Sequence, residues 1–495
     1  MLAAVPVVDT GVDLTPDRGR TINRFFVPGK EDVGPGDSRA APVIERIRGL
    51  SDAAVVVAMR DVDSRFADQY PALQEMFEHH AALVAPRLDP HTELSTDRRL
   101  LLGAAFTHEY SIEGAALCNP SIVLHPQQPG TGDTAFVLSV RGIGEGHRSS
   151  IGFRTGTITS DGKVTVDVPA ALPGTAPATP ANHHRSVLRL KLAELDDDHE
   201  NAAFVLGPLP GQFDDAELER RLAALRADAA TRNHTDTTLA NLDHLARCSY
   251  QVTFPESTDL SQRVLWPHSP TESHGMEDAR FVEIVDASGP RYCATYTAFD
   301  GINVMQNLLT TEDFLTFTVS PMAGAAARGK GLALFPRRVG GRFVALSRAD
   351  RETNSIAYSD DLRCWDSSQT IQTPQRAWEI VQLGNCGSPI ETPDGWLVLT
   401  HGVGAMRTYS IGAMLLDLDE PHRVVAALEQ PLLTPDRDHR HGYVPNVVYS
   451  CGALAIGDRL VLPYGVGDQT ISIATLSIRE LVDAMGTPVI EQLPI

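Results

Sequence analysis

The sequence predicts an all-β core built as a five-bladed β-propeller, with a helical N-terminal extension and a helical insertion between blades 1 and 2. The prediction rests first on a repeated unit, in which an apolar strand, a short loop and a second apolar strand follow one another. This unit occurs five times along the chain, and radial repetition of such units is typical of propellers. An open sandwich with irregular turns is the alternative arrangement.

The five units lie in the part of the chain after residue 114. The first contains three predicted strands, near residues 115–124, 136–141 and 150–159, and the turn Ser160-Asp-Gly closes it. The other four units each contain a pair of strands, within residues 292–310, 343–359, 395–417 and 460–476. Because the loops at one end of a propeller converge on its axis, residues far apart in these units could line a single pocket.

Two other segments have helical patterning. Apolar residues recur at three- and four-residue spacing in residues 41–50 and 66–84. Residues 1–110 are therefore predicted to form an irregular arm, up to about residue 40, and a helical extension. Residues 111–495 are predicted to form the propeller domain, interrupted by a charged helical insertion at about 172–247. Within it, Asp214 or Asp215 is predicted to cap a helix.

Composition excludes several classes of partner. The chain has 495 residues and a net charge of -21, which argues against nucleic acid and against an anionic membrane surface as partners. The six cysteines contain no C-x-x-C pair, so neither a metal site nor a disulfide framework is predicted. The scattered cysteines fit reduced thiols, so we predict a cytoplasmic location. The apolar run at the N-terminus lacks basic residues and stops at Asp9, so we predict no signal peptide.

A short charged motif precedes one predicted strand. Residues His274-Gly-Met-Glu-Asp278-Ala-Arg280-Phe281 bring a carboxylate pair and an arginine to its start. A surface ion pair is the simplest structural role for such a motif. Other polar residues stand in or near the loops that a propeller would bring together, namely Asn119, Arg141, Lys330, Arg348, His401 and Asp468. If they converge with Asp278, they form one charged pocket.

An ordered set of motifs carries a family resemblance. It comprises Asn119-Pro120, Gly275–Arg280, Leu334–Pro336, Leu346–Arg348, Pro389–Trp396, Thr400–Val403, Gly412–Asp417, Val444–Val448 and Tyr464–Asp468. In this order the motifs resemble glycoside hydrolase family 130, the β-mannoside phosphorylases and β-1,2-mannosidases. The resemblance covers about residues 115–480 without the insertion, and it does not include the N-terminal extension.

The resemblance implies a propeller with a sugar at its axis and assigns a role to each candidate residue. Asp278 would be the catalytic acid, passing its proton to the glycosidic oxygen through a hydroxyl of the mannosyl group. Substrate binding would fall to Asn119, Arg141, Glu277, Arg280, Tyr409 and Asp468. Phosphate binding would fall to Lys330, Arg348, Gln382 and His401. No metal and no cofactor is implied, and inorganic phosphate is the co-substrate.

The chemistry of the residues fits this assignment in part. Breaking a glycosidic bond requires an acid for the leaving oxygen and a nucleophile for the anomeric carbon. Phosphate is already an anionic nucleophile, so a phosphorylase requires a basic cradle. An inverting hydrolase requires a second carboxylate that activates water. Lys330 can also be interpreted as a flexible surface lysine, His401 as a histidine of the core, and Tyr409 as a residue that packs within its strand.

Two departures from the family pattern favour the hydrolase. Gln382 stands where a phosphate-binding lysine is expected, and Glu391 replaces another lysine. Glu391 or Glu379 could be the base for water if it faced the pocket, whereas a surface turn residue is the other interpretation of Glu391.

Three functions follow from these observations. The first is a glycosyltransferase-type inverting phosphorylase that converts a β-mannoside oligosaccharide or glycoside and phosphate to α-mannose 1-phosphate. The second is an inverting β-mannosidase with Glu391 as base, and the third is a non-catalytic glycan-binding propeller. The helical extension could also join copies of the chain into a homo-oligomer.

Overall fold

The computed structural model describes residues 5–28, 39–89, 92–130, 132–286, 289–437 and 440–486. The chain divides into two compact units. The smaller unit comprises Gly19–Ile112, and the larger comprises Met1–Arg18 together with Glu113–Ile495.

The first strand, β1 (Val8–Leu14), belongs to the larger unit. It pairs antiparallel with β28 (Thr470–Ser477), the last strand among the described residues, as in the register pair Asp13 and Ser472. The prediction of an irregular arm is therefore wrong for these residues. None of the strand's residues is buried, so no apolar alternation marks it in the sequence. The edge of the partner strand, rather than a local pattern, specifies its conformation.

The smaller unit is mainly helical, which confirms the predicted helical N-terminal region. Its strands and helices are β2 (Thr21–Phe25), α1 (Ala40–Gly49), α2 (Asp52–Phe66), α3 (Leu73–Val84), α4 (Thr96–Ala105) and β3 (Thr107–Ser111). Side chains of Ser51 and Ser95 cap α2 and α4 by accepting hydrogen bonds from backbone N–H groups of the first turn. Helices α3 and α4 pack closely at Gly103, where a Cβ atom would lie 1.8 Å from the carbonyl oxygen of Phe77.

The larger unit begins its core with an antiparallel meander. The strands are β4 (Ala116–Leu124), β5 (Thr134–Ile143), β6 (Ser149–Ile158) and β7 (Val164–Val166). They correspond to the first repeated unit of the sequence.

The predicted helical insertion follows. Its elements are β8 (Ala178–Pro180), β9 (His183–His184), α5 (Arg185–Glu194), α6 (Glu200–Leu206), β10 (Gln212–Phe213), α7 (Asp215–Ala227), α8 (Thr235–Ala246) and β11 (Tyr250–Thr253). Asp214 caps α7 in a reciprocal capping box with Glu217, as the sequence predicts. The helices bury leucines such as Leu192, Leu222 and Leu242 in a core of their own.

Four further antiparallel meanders complete the larger unit. The second is β12 (Gly275–Asp286), β13 (Gly289–Phe299), β14 (Val304–Thr311) and β15 (Thr316–Pro321). The third is β16 (Ala333–Leu334), β17 (Phe343–Ser347), β18 (Asn354–Ser359) and β19 (Ser368–Gln372). The fourth is β20 (Gln382–Asn385), β21 (Ile390–Thr392), β22 (Gly395–Val403), β23 (Tyr409–Leu416) and β24 (Val424–Ala427). The fifth is β25 (Val448–Tyr449), β26 (Leu454–Ile456), β27 (Arg459–Val466) and β28 (Thr470–Ser477), and helix α9 (Ile478–Asp483) follows it.

The predicted all-β core is thus confirmed, and each predicted strand pair is present. Five of its apolar clusters each join two meanders. Phe153 and Phe281 link the first to the second. Leu308 and Ala345 lie in another cluster, which links the second to the third.

Three more clusters continue this pattern. Leu346 and Val398 link the third meander to the fourth. The fourth and fifth share a cluster of their own. The last cluster contains Leu138 of the first meander and Ile473 of the fifth, so the end of the core packs against its beginning.

All six cysteines are free thiols. In the described part of the chain, no three His, Cys, Asp or Glu side chains are grouped so that they could hold a metal ion. The described helices include none with the length and apolar character needed to cross a membrane.

Candidate active site

A cavity of about 330 Å³ lies in the larger unit. Its lining contains every site residue predicted from the sequence except the two possible bases, Glu391 and Glu379. These residues are Asn119, Arg141, Glu277, Asp278, Arg280, Lys330, Arg348, Gln382, His401, Tyr409 and Asp468. They come from all five meanders, so the chain fold brings together side chains that are up to about 350 positions apart in the sequence.

Two β-bulges hold the central carboxylate in place. Strand β4 has a register shift around Asn119, and strand β12 has one around Asp278. Both residues have left-handed backbones, with φ of 48° and 57°. Asn and Asp tolerate this conformation better than other residues with side chains, and a bulge turns a side chain out of the regular alternation of a strand. As a result the Asn119 amide donates a hydrogen bond to Asp278 Oδ1.

Glu277 is held between two cations. Arg141 Nη2 donates to Glu277 Oε1 over 2.8 Å, and the Lys330 ammonium group pairs with the other carboxylate oxygen. Arg141 also reaches Asp278, with Nη1 3.4 Å from Oδ1. Because its two oxygens pair with different cations, Glu277 holds Arg141 and Lys330 in position.

The Asp278 carboxyl is kept ionised by its surroundings. Burial alone would raise its pKa, but the positive charges of Arg141, Arg280 and Lys330 outweigh burial. The hydrogen bond from Asn119 acts in the same direction, and the pKa of Asp278 lies below its ordinary value. The Arg280 guanidinium is fixed nearby, since Nη1 donates to the Asp278 carbonyl oxygen over 2.8 Å.

Asp468 is shifted in the opposite direction. It lies in the turn between β27 and β28 with a left-handed φ of 47°. Burial raises its pKa to about 6; the Arg141 charge lowers it, but the negative charge of Asp278 raises it further. The cavity therefore contains two carboxyl groups with separated pKa values, of which Asp468 retains its proton to the higher pH. Such separation is common where acid and base roles are divided.

His401 is a neutral side chain in this cavity. It is fully buried, and its Nδ1 donates to the Asn385 carbonyl oxygen over 3.1 Å. Burial, followed by the Arg348 charge, holds its pKa well below the ordinary value. The Nε2 atom is then a hydrogen-bond acceptor. The family resemblance implies a basic phosphate ligand at His401, but the structure gives this side chain no positive charge at neutral pH.

Arg348 lies against His401. Both side chains would be within 2.7 Å of a Cβ atom on Gly384, so only glycine leaves room for them. Arg348 Nη2 donates to the Arg351 carbonyl oxygen over 2.7 Å. Gln382 Nε2 lies 3.4 Å from the Tyr409 hydroxyl.

Several buried polar atoms of the lining residues lack a partner. Asn119 Oδ1, Arg141 Nε, Arg280 Nε and Arg348 Nε are buried and make no hydrogen bond with the residues that the structure describes. Buried polar atoms in native proteins are normally paired. Unpaired atoms on four lining residues indicate that the cavity is built to receive a polar ligand.

Sequence reasoning missed part of the lining, chiefly His147, Arg407, Tyr443 and Tyr449. His147 and Arg407 occupy equivalent hairpin turns, after β5 and after β22, and both have positive φ. A signal was present, because Gly142-Ile-Gly144-Glu-Gly-His147 and Gly402-Val-Gly404-Ala-Met-Arg407 share their glycine spacing. His147 and Tyr443 stack at 5.4 Å between ring centroids. Tyr449 accepts a hydrogen bond from Arg280.

The structure does not bring Glu391 or Glu379 to the cavity, so the prediction of a base at either position is wrong. Glu391 is exposed, and both of its carboxylate oxygens accept hydrogen bonds from Arg337. Strand alternation explains this, because Thr392 takes the buried face of β21 and turns Glu391 outward. Glu379 is buried, where it binds backbone N–H groups and pairs with Arg376.

Comparison with known proteins places the chain in a family. The model of glycoside hydrolase family 130, described as beta-1,4-mannooligosaccharide phosphorylase, matches residues 242–487. A 1,2-beta-oligomannan phosphorylase of Thermoanaerobacter sp. (strain X514) is 32% identical over 233 residues, which are 45% of this chain and 75% of that protein. A beta-1,2-mannobiose phosphorylase of the same organism is 34% identical over 216 residues, 43% of this chain and 70% of the relative.

Another beta-1,2-mannobiose phosphorylase, from Listeria innocua, is 31% identical over 225 residues, and the match spans 44% of this chain and 62% of that protein. A solved structure of beta-1,2-mannobiose phosphorylase from Listeria innocua aligns with a TM-score of 0.44 at 19% identity. That alignment covers 76% of this chain and 93% of the other. From the family model and the sequence relatives, the chain belongs to glycoside hydrolase family 130, as its ordered motifs predict.

Proposed function

We propose that the chain cleaves β-mannosides by inverting phosphorolysis and releases α-mannose 1-phosphate. The observation that carries the proposal is the charge balance of the cavity. Its lining contains three carboxylates and five cationic side chains, namely Arg141, Arg280, Lys330, Arg348 and Arg407. The surplus of two positive charges matches a phosphate dianion, whereas a water nucleophile requires no such surplus. The names of the sequence relatives point to the same reaction.

The proposed phosphate cradle is formed by Arg348, Lys330 and His401. Arg348 offers its planar guanidinium, which can hold two phosphate oxygens. Lys330 adds a flexible ammonium group, although Glu277 shares its charge. Neutral His401 would accept a hydrogen bond from a protonated phosphate oxygen through Nε2. Gln382 would donate without adding charge. No cofactor is proposed, and phosphate itself is the nucleophile.

Asp278 is the proposed acid, and it must acquire a proton in the loaded enzyme. Bound phosphate supplies the reason, because a dianion close to Arg348 and Lys330 offsets the charges that keep Asp278 ionised. The pKa of Asp278 is then expected to rise when phosphate binds. Asn119, Arg141 and Asp468 would hold the mannosyl group beside it.

An inverting β-mannosidase is the second candidate function. Glu391 and Glu379 lie outside the cavity and cannot be its base. Asp468 lies in the cavity, and its raised pKa suits proton exchange near neutral pH. The surplus of positive charge favours phosphorolysis over this alternative. A glycan-binding role without catalysis has no feature of the cavity in its favour, since the acid and its charged neighbours are intact.

We also propose that the five meanders are the blades of a closed propeller. Support comes from five apolar clusters, of which four join successive meanders and one joins the fifth meander to the first. The pairing of β1 with β28 is consistent with such closure. Two expectations stay predictions: a cytoplasmic location, and association of copies of the chain through the smaller unit (Gly19–Ile112), which we call the helical unit.

The test is to incubate the protein with β-1,2- and β-1,4-mannobiose, with and without inorganic phosphate. Phosphate-dependent mannose 1-phosphate is expected, and Asp278→Asn should abolish it while the protein stays folded. Glu391→Gln is the matched control, which removes an exposed carboxylate and should retain activity. Free mannose released at equal rates with and without phosphate would overturn phosphorolysis and favour the hydrolase.

A further inference from the structure

A second cavity, of about 640 Å³, adjoins the candidate active site. We name it the outer cavity. It shares Lys330, Arg348 and Gln382 with the first cavity, and all three are residues that we assign to phosphate. The residues that would hold the mannosyl group line only the first cavity. The two spaces therefore meet at the proposed phosphate cradle and not at the sugar.

The charged side chains of the outer cavity are almost all cationic. Five of them are cations and one is a carboxylate. These side chains are Lys191, Arg328, Lys330, Arg348, Arg351 and Glu194. The whole chain has a net charge of -21, so this lining differs in sign from the protein as a whole. A cleft lined by one sign of charge concentrates ligands of the opposite sign.

The carboxylate of the lining is compensated within its own wall. Glu194 Oε2 pairs with Lys191 over 2.9 Å, and Glu194 Oε1 accepts a hydrogen bond from the Gly324 backbone over 3.0 Å. Both residues belong to helix α5, which lies outside residues 242–487, the part matched by the family model. The insertion thus supplies a wall without net charge and leaves the positive surplus to the other side chains.

Arg328 and Arg351 carry this surplus at the surface. Both are exposed, and neither forms an ion pair within the part of the chain that the structure describes. Arg348 is half-buried, and its Nη2 donates to the Arg351 carbonyl oxygen over 2.7 Å. The cations therefore extend from the exposed surface to the cradle, where Arg348 can bind phosphate.

Inversion at C1 relates the outer cavity to the reaction. In an inverting displacement the nucleophile attacks the face of C1 opposite to the leaving group. The acceptor sugar must then depart on the side away from the cradle. A cavity that meets the active site only at phosphate-binding residues lies on the side of the nucleophile. Phosphate can reach Arg348 and Lys330 through it without passing the mannosyl group.

We propose that the outer cavity is the route by which inorganic phosphate reaches the active site, and that Arg328 and Arg351 attract phosphate into it by their charge. This inference rests on the proposed phosphorolysis. The two arginines are positioning residues, because they act on phosphate before it occupies the cradle and touch neither C1 nor the mannosyl group. Since the route avoids the sugar, phosphate can enter after the mannoside is bound.

The test is phosphorolysis of the mannobiose that the wild type cleaves, at low ionic strength and with phosphate varied. Arg351→Gln and Arg351→Glu give side chains of the same shape, so they differ in charge alone. Arg328→Gln and Arg351→Gln should each lower kcat/KM for phosphate about threefold, and Arg351→Glu about tenfold, within the range of electrostatic steering. The kcat at saturating phosphate and kcat/KM for mannobiose should not change. At about 1 M KCl, where charges are screened beyond about 3 Å, the variants should approach wild type.

The control is Arg226→Glu, which reverses a positive charge on α7 of the insertion and lines neither cavity. It should leave kcat/KM for phosphate unchanged, which separates a local effect from a change in net charge. An unchanged kcat/KM for phosphate in Arg351→Glu overturns the proposal. So does an equal fall in kcat/KM for mannobiose, or a fall in kcat at saturating phosphate, because Arg351 would then act on the sugar or on bound phosphate.

Phosphate exchange separates failure of this proposal from failure of phosphorolysis. Line broadening of the phosphorus NMR signal of inorganic phosphate, measured with Asp278→Asn, gives association and dissociation rates without turnover. Slower association with the Asp278→Asn, Arg351→Glu double variant, at the same dissociation rate, supports the route even if no mannose 1-phosphate forms. Phosphorolysis with an association rate that Arg351→Glu does not change overturns the route alone. Absence of phosphate binding to either protein overturns both proposals.

Discussion

Replacing Asp468 by Asn should make the protein more stable at neutral pH. The carboxyl has a pKa of about 6 in the folded protein against an ordinary value of 3.8. The folded state therefore holds this proton more tightly than the unfolded state does. The stabilising contribution of the proton is fully present below pH 3.8 and is lost as the pH rises through 6. Above that pH, wild type carries the whole cost of an ionised, largely buried carboxylate.

The size of the effect follows from the two pKa values. The difference corresponds to about 3 kcal/mol of unfolding free energy, an upper limit because the Asp468 side chain keeps some contact with solvent. Asn tolerates the left-handed backbone at this position as well as Asp does, so the substitution adds no backbone strain. For a unit of about 400 residues, 3 kcal/mol raises the melting temperature by about 3–4 °C.

The assay is thermal unfolding of wild type and Asp468→Asn, followed by circular dichroism between pH 5 and 8. The melting temperature of the variant should exceed that of wild type by an amount that grows up to about pH 7 and is then constant. Asp458→Asn is the control of opposite sign. Hydrogen bonds from Ser477 and from the Arg479 backbone lower the pKa of Asp458, so the control should be less stable than wild type throughout this range. A difference for Asp468→Asn that is independent of pH, or a loss of stability at pH 8, would refute the reasoning.

Three further predictions concern packing, phosphate and the surface. Gly103→Ala should destabilise the helical unit by about 3 kcal/mol or more, since the carbonyl of Phe77 cannot move away from the new methyl group. Thermal unfolding measures this loss, and the control is Gly49→Ala, where the new methyl group meets open space. Arg348→Ala should raise the KM for phosphate about tenfold or more in initial-rate assays, with a smaller effect on the KM for the mannoside. Glu391→Gln should change kcat by less than about twofold, because surface ion pairs contribute little; a loss of several orders of magnitude would restore Glu391 as a base.

The strands of the core could be predicted because their sequence pattern is local. Residues 343–359 and 460–476 alternate or run apolar within a few residues, and both form the expected antiparallel pairs. Strand β1 could not be found in this way, because its partner lies at the other end of the chain. The helix cap at Asp214 could be predicted, since a capping box requires only four consecutive residues.

The sequence allowed us to predict which residues form the site, but not which of them carry a charge or face the cavity. The motif around Asp278 and the positions of Asn119 and Arg348 could be identified by type and order. The charge of His401 could not, because it depends on a buried carbonyl group and on a neighbouring guanidinium group. The orientation of Glu391 was decided by which face of a short strand is buried, and neighbouring residues in the sequence do not reveal that.

The pairing of β1 with β28 has a consequence for synthesis on the ribosome. Asp13 accepts a hydrogen bond from Ser472, 459 residues further along the chain. At about 5–20 residues per second, β1 waits roughly 20–90 s before its partner exists. During that interval its backbone groups are unpaired, and such edges readily join other chains. The helical unit is encoded directly after β1, and its own ends meet where Thr21 pairs with Ser111. The helical unit can therefore fold early, at a time when β28, the strand that pairs with β1, has not yet been synthesised.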